Sequence, residues 1–465
     1  MNGFGVALGG GGAKGSYEIG VWKALRELEI PISCVVGTSV GALNGAMMVQ
    51  GDLDIACDLW TTISMEKVIE FEKGIVEASE KRKRFSSMLD FAKNTIASGG
   101  LDITPLEKLL HDVIDEEKIR KSSVNFGLVT FSLTDLKPVK LFKKDIPEGK
   151  LVDYLIASAC FPLFRKQEID DKKFIDGGVY DNVPISLMIG KGMKNIIGVD
   201  VSGPGFTRKV NKGNPKIIYI KNSEDLGGVL RFNADRSIIN MELGYLDTMK
   251  AFGKLGGSRY YLLPSDDLDV RELYFKNIGI DDFKNMYTFL GMDWSGKSSG
   301  VNKIIIDKIM RTIQQYVSEK LNGSSVFPAM AEITAEQLGI SRHHSYKLNE
   351  LIDAIMGEYN KIKNSNDFNE YIKNLKRLIM SRNQVEFDRE IKMSIIEGKF
   401  LISYNPYINE SDEKIKRFRR FVAMAFPKIA IANMFISLVL SRNPEIGDTS
   451  SMVGEIEESS APTLE

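Results

Sequence analysis

The chain has 465 residues, of which 43% are hydrophobic and 26% are charged, and its formal net charge is −1. This length exceeds what one compact core usually holds, so we expect at least two domains in an otherwise ordinary globular composition. The near-zero net charge argues against a nucleic-acid-binding protein. Three cysteines without a CxxC pair or a Cys/His cluster argue against a disulfide framework and against a structural zinc site.

The first fifty residues predict a strand, a glycine-rich loop, a helix, a second strand and a sharp turn. The strands lie at residues 4–8 and 32–36, and the loop at residues 9–15 contains four consecutive glycines. Helical spacing of apolar residues continues over 14–28. No basic and apolar leader precedes the first strand, so we predict no signal peptide and a cytoplasmic protein.

Later segments predict a mixture of strands and helices up to about residue 264. A charge-rich helical insertion is predicted at 65–98, strand pairs at 124–133 with 137–142 and at 164–168 with 173–175, buried strands at 196–201 and 217–220, a long helix at 235–252 and a last strand at 260–263. Helical patterns then dominate. We therefore predict an α/β domain over 1–265, a mainly helical domain over 266–445 and a disordered acidic tail over 446–465.

The glycine loop has three interpretations. It fails as a P-loop, because Lys14 is followed by Gly15 where that motif needs Ser or Thr. It matches the dinucleotide fingerprint, but that site also needs an acidic residue after the second strand, where this chain has Ser39. The third interpretation is an oxyanion loop, in which glycine N–H groups at a helix start stabilise a developing negative charge. The sequence favours this third interpretation.

The turn after the second strand has the sequence of a nucleophile elbow. Gly37 and Gly41 flank Ser39 at the spacing G-x-S-x-G, with a strand before and a helix after. Such a turn strains the serine backbone and directs the hydroxyl out of the sheet. We therefore predict that Ser39 is a nucleophile rather than a helix N-cap.

A serine nucleophile needs a base, and the chain has only three histidines. His111 falls in a helical pattern, and His343 and His344 fall in the helical C-terminal domain. None lies at the end of a predicted strand of the first domain, so we interpret all three as surface or packing residues. Asp176 is the better candidate, because it ends an apolar strand and is followed by Gly177 and Gly178. Burial would raise the pKa of its carboxyl above about 3.9 and make it a better base.

These three motifs together resemble the patatin-like phospholipase family of the bacterial type, over about residues 3–263. Asn182 and Pro184 also match the usual continuation of that family after Asp-Gly-Gly. The resemblance implies a three-layer α/β/α fold and a lipid acyl hydrolase with a Ser39–Asp176 dyad, an acyl-enzyme intermediate and no metal or cofactor. It further implies that the oxyanion donors are the glycines of the loop, Gly10, Gly11 and Gly12.

For contacts with the lipid head group and with the membrane, the sequence leaves alternatives open. Lys14 either meets a lipid head group or is a solvated lysine at a helix start. Peripheral membrane contact is predicted through basic residues 81–84, or through basic residues 414–420 together with the apolar run 421–440. Pro427 and Lys428 lie within that apolar run and instead favour a buried helix. A lipid acyltransferase, or a lipase activated by a partner or by oligomerisation through the C-terminal domain, fits the same motifs.

Overall fold

The computed structural model describes residues 3–70, 99–210, 215–264, 280–292, 300–317, 321, 323–380 and 413–442. The chain divides into two compact units, Met1–Lys254 and Leu255–Glu465. The predicted basic segment at 81–84, the rest of the insertion beyond residue 70 and the acidic tail at 446–465 lie outside the described residues.

The first unit is built on an eight-stranded mixed sheet, in agreement with the predicted α/β class. Its strands are β1 Phe4–Leu8, β2 Ile32–Thr38, β3 Asn125–Ser132, β4 Lys137–Phe142, β5 Gln167–Ile169, β6 Lys172–Asp176, β7 Asn195–Asp200 and β8 Lys216–Lys221. Strands β3, β2, β1, β7 and β8 run parallel in that order. Strands β6 and β4 pair antiparallel with β3, and β5 pairs with β6. Parallel strands buried on both faces explain the continuous apolar runs in the sequence.

Helices cover both faces of this sheet and confirm the three-layer α/β/α arrangement. They are α1 Ser16–Glu27, α2 Val40–Gln50, α3 Leu53–Thr61, α4 Thr104–Val113, α5 Glu116–Lys121, α6 Leu151–Ser158, α7 Ile185–Gly190 and α8 Ala234–Ala251. Side chains alternate between the faces, so Val35 approaches Gly45 of α2 while Val36 packs in the cluster that contains Ile185 of α7. The helical layers on the two faces therefore pack against side chains of the same strands.

Helices α1 and α8 approach each other unusually closely because glycines face carbonyl groups at their crossing. A Cβ atom on Gly20 would lie 1.8 Å from the Met241 oxygen, and one on Gly244 would lie 2.0 Å from the Tyr17 oxygen. This packing fixes the position of α1, and therefore also the position of the glycine loop that precedes it.

From β1 the chain adds β2 and β3 toward one edge of the sheet, and from β7 it adds β8 toward the other edge. The direction in which strands are added therefore reverses between β1 and β7, which are neighbours in the sheet. Ligands of open α/β sheets bind outside the carboxyl ends of the strands at such a point. The glycine loop follows β1 there, and Ser39 follows β2 beside it. The fold thus brings the two predicted turns together.

The second unit is mainly helical within its described residues, as predicted for the C-terminal region. Its helices are α9 Ile280–Phe289, α10 Gly300–Gln314, α11 Gly323–Leu338, α12 Leu348–Lys363, α13 Asn366–Met380, α14 Glu413–Ala425 and α15 Pro427–Arg442. They enclose one apolar core in which, for example, the rings of Phe327 and Phe435 lie 5.1 Å apart. The apolar side chains of α15 are largely buried in this core.

The strand predicted at 260–263 belongs to the second unit rather than to the α/β sheet. Strand β9 Tyr261–Leu262 pairs with β10 Ser345–Tyr346. The Tyr260 N–H donates to a carboxylate oxygen of Glu332 at 2.9 Å, and its ring lies in the helical core. These partners come from later segments of the chain, and local sequence patterns do not reveal them.

Within the described residues, no single helix is long and apolar enough to cross a bilayer. Helices α14 and α15 meet the length and composition criteria only as a pair, and they are bent by 117° relative to each other. Lys428, near the start of α15, donates to Glu336 at 2.8 Å.

Candidate active site

Ser39 occupies a strained turn between β2 and α2. Its backbone has φ 57° and ψ −131°, a conformation that non-glycine residues rarely adopt. A Cβ atom on Gly37 would lie 2.1 Å from the Gly41 oxygen, and one on Gly41 would lie 2.5 Å from the Leu8 oxygen. Both glycines are therefore required for the turn to close against its neighbours, which is the geometry of a nucleophile elbow.

Asp176 lies beside Ser39 although 137 residues separate them in the chain. The Ser39 Oγ donates to Asp176 Oδ2 at 2.6 Å. Strand β6 delivers the carboxylate because it pairs antiparallel with β3, with Asp176 opposite Thr130. The other carboxylate oxygen accepts from the Gly178 N–H at 2.7 Å, so the Asp-Gly-Gly turn fixes the orientation of the carboxylate.

Burial sets the electrostatics of this pair. Asp176 is only 7% exposed, and desolvation raises the pKa of its carboxyl from 3.8 to about 6. Hydrogen bonds from Ser39 and from the Gly178 N–H oppose this rise and are outweighed by it. A carboxylate with this pKa is ionised at neutral pH and is still a stronger proton acceptor than a solvated aspartate.

Ser158, at the end of α6, is hydrogen-bonded to the turn that carries Ser39. Its Oγ accepts from the Ser39 N–H at 3.0 Å and donates to the Val129 carbonyl oxygen at 2.7 Å. The backbone N–H of Ser39 is thus already paired with a side chain. Local sequence patterns do not single out Ser158, because a serine near the end of an apolar helix carries no distinguishing motif.

The glycine loop contains both engaged and free N–H groups. The Gly10 N–H donates to the Asn182 carbonyl oxygen at 3.1 Å, so a role of Gly10 as an oxyanion donor stays a prediction that this contact does not favour. Among the described residues, neither the Gly11 nor the Gly12 N–H has a hydrogen-bond partner. Gly12 has φ 56°, and a Cβ atom there would lie 2.3 Å from the Val229 oxygen. Both free groups therefore remain candidate donors beside Ser39.

Asn182 holds the loop in position and is a second residue whose role the sequence did not reveal. Its side-chain Nδ2 donates to the Gly10 carbonyl oxygen at 3.1 Å, in addition to the backbone bond that it receives from Gly10. A Cβ atom on Gly10 would lie 2.6 Å from Asn182 Oδ1. The two segments thus fit together only because position 10 has no side chain.

Lys14 points to a neighbouring loop. Its Nζ donates to the Ser202 carbonyl oxygen at 2.8 Å, and the residue does not line the cavity described below. This contact gives Lys14 a structural partner. Head-group contact by Lys14 stays a prediction that this geometry does not favour.

An apolar cavity of about 240 Å³ opens onto the pair. Ser39, Asp176 and the three loop glycines lie on its wall. The remaining wall comes largely from apolar side chains, including Leu43 and Met47 of α2, Leu59 and Trp60 of α3, Leu106 and Leu110 of α4, and Phe161, Phe164 and Phe232 from loops. Such a cavity suits an acyl chain or another apolar group and offers few partners for a polar ligand.

A second buried carboxyl group lies behind the glycine loop. Glu18, in the first turn of α1, is 1% exposed, and burial raises the pKa of its carboxyl from 4.5 to about 8. The Asn44 side chain donates to it at 2.8 Å and also donates to the Gly15 carbonyl oxygen at 2.9 Å. Asn44 in turn accepts from the Trp60 indole N–H at 3.1 Å. This network connects the loop to the cavity wall.

No histidine is among the residues that line the cavity beside Ser39 and Asp176. His111 is exposed on α4, while His343 and His344 belong to the second unit. Within the described ranges, no group of three or more His, Cys, Asp or Glu side chains is arranged to hold a metal ion.

Comparison with known proteins matches this part of the chain. Residues 6–189 match the family model described as patatin-like phospholipase. Neuropathy target esterase sws of Drosophila melanogaster is 28% identical over 218 residues, which cover 46% of this chain and 14% of that protein. Lysophospholipase nte1 of Aspergillus terreus is 27% identical over 225 residues, which cover 45% of this chain and 13% of that protein.

The matched region thus spans about one seventh of the length of these curated relatives. Among solved structures, VipD from Legionella pneumophila is similar with 13% sequence identity and a TM-score of 0.36. That alignment covers 97% of this chain and 92% of VipD.

Proposed function

The chain carries a patatin-like phospholipase domain at residues 6–189, and from this premise we propose that it is a serine lipid acyl hydrolase with Ser39 as nucleophile and Asp176 as general base. One observation carries the proposal. The Ser39 hydroxyl donates to a buried carboxylate at 2.6 Å, at the wall of an apolar cavity, from a strained strand-to-helix turn. A nucleophile, a base and an apolar binding site are thereby combined in one place.

In the proposed reaction, Asp176 accepts the Ser39 proton while Oγ attacks the carbonyl carbon of a lipid ester. The developing oxyanion is stabilised by the free N–H groups of Gly11 and Gly12 and by the N-terminal dipole of α2, which begins at Val40. Protonated Asp176 then donates its proton to the leaving alcohol or lysolipid. This leaves Asp176 ionised, so it next accepts a proton from the water that attacks the acyl-enzyme, and it returns that proton to Ser39 Oγ as the fatty acid leaves.

The proposed substrate is an ester of a fatty acid, because the cavity beside Ser39 is lined mainly by aliphatic and aromatic side chains. An acyl chain would lie along α2, α3 and α4, while the leaving group would face the open side. The names of the relatives, which include a lysophospholipase and an esterase, support a carboxylic ester of a lipid. Peripheral contact with a membrane is part of this proposal, because a lipid must leave its bilayer to reach Ser39.

The test combines a covalent probe with a turnover assay. A fluorophosphonate should label the wild-type chain at Ser39 and should not label Ser39→Ala. The same pair of proteins, assayed on phospholipids, lysophospholipids and neutral glycerides, should show hydrolysis only for the wild type. Labelling that persists in Ser39→Ala would reject the nucleophile, and turnover that persists would reject the dyad.

Asp176→Asn serves as the matched test of the base, because it keeps the size of the side chain and removes its charge. We expect this variant to fold and to lose ester turnover. If His111→Ala is inactive instead, a histidine mechanism would replace the proposed dyad.

A further inference from the structure

Two apolar side chains stand exposed at the mouth of the cavity in the first unit. Val179 lines the cavity and is 49% exposed, and Phe206 is 60% exposed directly after Pro204 and Gly205, which also line it. Phenylalanine is usually buried, and exposed apolar side chains that occur together beside an apolar cavity are typical of a binding surface.

The loop that carries Phe206 is held firmly against the segment that follows Asp176. The Phe206 N–H donates to the Gly178 carbonyl oxygen at 2.8 Å, and the Phe206 carbonyl oxygen accepts from the Asn182 N–H at 2.8 Å. Gly205 has φ 141°, and a Cβ atom there would lie 2.7 Å from the Gly178 oxygen. Phe206 is therefore exposed by a defined backbone geometry.

Positive charge lies close to these side chains along the chain, because Arg208 follows Phe206 by two residues and Tyr180, whose ring two cations approach, directly follows Val179. The Arg208 guanidinium is 4.6 Å from the centre of the Tyr180 ring, and the Lys140 Nζ is 5.0 Å from it. Both cationic residues are exposed, whereas the neighbouring Asp181 is buried at 1% exposure. An apolar side chain flanked by cations complements an anionic lipid surface, where the ring enters the interface and the cations meet phosphate groups.

We propose that this rim, formed by Val179, Phe206, Lys140 and Arg208, docks the first unit onto the surface of an anionic phospholipid bilayer and so places the cavity mouth against the lipid. The inference rests on the proposed function, because it supplies the route by which an ester reaches Ser39. A bilayer suits the rim better than a protein partner does. A stable protein interface buries about 800 Å² on each side, whereas insertion into lipid needs only a few apolar side chains.

The binding test uses the full chain with Ser39→Ala, so that the vesicles remain intact. Its co-sedimentation is measured with vesicles of phosphatidylcholine alone and of phosphatidylcholine mixed with phosphatidylglycerol. We expect binding to the anionic vesicles, and about tenfold weaker binding after Phe206→Ser, since a buried phenyl ring contributes roughly that factor. Arg208→Ala should weaken binding about fivefold and reduce its dependence on salt.

The control is Ile55→Ser, which removes an aliphatic side chain that is 46% exposed on α3 and lies outside the rim. It should bind as the parent does, while Val179→Ser, at nearly the same exposure, should bind less. Equal binding by Phe206→Ser and the parent would overturn the proposal. So would an equal loss in the Ile55→Ser control, or equal binding to neutral vesicles.

Activity separates this inference from the proposed function. With Ser39 intact, Phe206→Ser should hydrolyse a soluble short-chain ester at the wild-type rate and should hydrolyse vesicle lipid several-fold more slowly. A wild-type chain that cleaves the soluble ester but shows no rim-dependent vesicle binding would reject the docking surface and leave the hydrolase intact. Rim-dependent binding by a wild-type chain without any ester turnover would reject the hydrolase and leave the docking surface.

Discussion

The first unit buries a carboxyl group in each of two neighbouring regions, and the two differ in what surrounds them. Asp176, at the end of β6, faces the cavity and accepts from a serine hydroxyl. Glu18, behind the glycine loop, accepts from the Asn44 amide and does not line the cavity. Burial raises the pKa of both, to about 6 and about 8. A perturbed pKa alone therefore identifies a buried acid, while the neighbouring nucleophile and access to the cavity identify a candidate catalyst.

The largest expected effect is a difference in catalytic activity between a variant of Asp176 and a variant of Glu18. Asp176→Asn should lower kcat/KM for a short-chain ester by at least about a thousandfold, because the nucleophile loses its base. Glu18→Gln makes the same type of exchange and should keep activity within a few-fold. Steady-state kinetics with both variants checks this, and thermal unfolding confirms that each is folded. If Glu18→Gln were the inactive protein, the roles assigned to the two regions would have to be exchanged.

The second effect concerns stability and should belong mainly to Glu18. Its pKa is raised from 4.5 to about 8 on folding, so the folded chain binds the proton more tightly and loses stability as pH rises between those values. Glu18→Gln removes this loss. Relative to wild type it should be more stable above about pH 8, by on the order of a few kcal/mol, and similar near pH 4.5.

Thermal unfolding midpoints of wild type and Glu18→Gln, measured across this pH range, test the stability difference. Asp176→Asn serves as a comparison, because its raised pKa predicts a smaller change, confined to the range from 3.8 to about 6. A constant gap between Glu18→Gln and wild type at all pH values would show that Glu18 is not protonated as its burial implies.

The third effect is the pH dependence of catalysis, which should follow Asp176. Below about pH 6 its carboxyl is protonated and cannot accept the Ser39 proton, so kcat/KM should fall about tenfold for each further pH unit. Above that pH it should reach a plateau. A pH–rate profile of wild type and Glu18→Gln should give the same acidic limb. An acidic limb that moves in Glu18→Gln would mean that the two carboxyls are coupled.

The smallest effect probes the network around Glu18. Trp60→Phe keeps an aromatic ring on the cavity wall and removes the indole N–H that donates to Asn44. We expect a loss of about 1 kcal/mol in the free energy of unfolding and a modest change in KM, with kcat nearly unchanged. Denaturant unfolding and ester kinetics measure both. A large loss of kcat would instead make the Glu18 region part of the catalytic apparatus.

Local sequence patterns were sufficient for the turns that define the candidate site. Glycines on both sides of Ser39, and the pair after Asp176, mark backbone positions where a side chain would collide with another segment. The Asp-Gly-Gly turn after an apolar strand also predicted Asp176 as the partner of Ser39, although β6, which ends at Asp176, runs antiparallel to β3. The structure brings the Ser39 and Asp176 side chains to 2.6 Å, and their chemical roles stay predictions for the experiments above.

Residues whose roles depend on distant partners could not be predicted from local patterns. Ser158 supports Ser39 across 119 positions, and Asn182 engages Gly10 across 172, so both contacts depend on the order of the strands. Glu18 is hidden for another reason. An acidic residue in the first turn of a helix is common at exposed positions, where it complements the helix dipole. Only the close packing of α1 against its neighbours shows that this one is buried.

The strained backbone of Ser39 also has a consequence for protein engineering. Glycine adopts φ 57° without the steric penalty that serine bears, so Ser39→Gly should relieve on the order of 1–3 kcal/mol of strain. A selection for thermostability alone would then favour the loss of the candidate nucleophile. Mutant libraries made to increase the thermostability of this protein should therefore keep residue 39 as serine, because the substitution that relaxes the turn also removes its hydroxyl group.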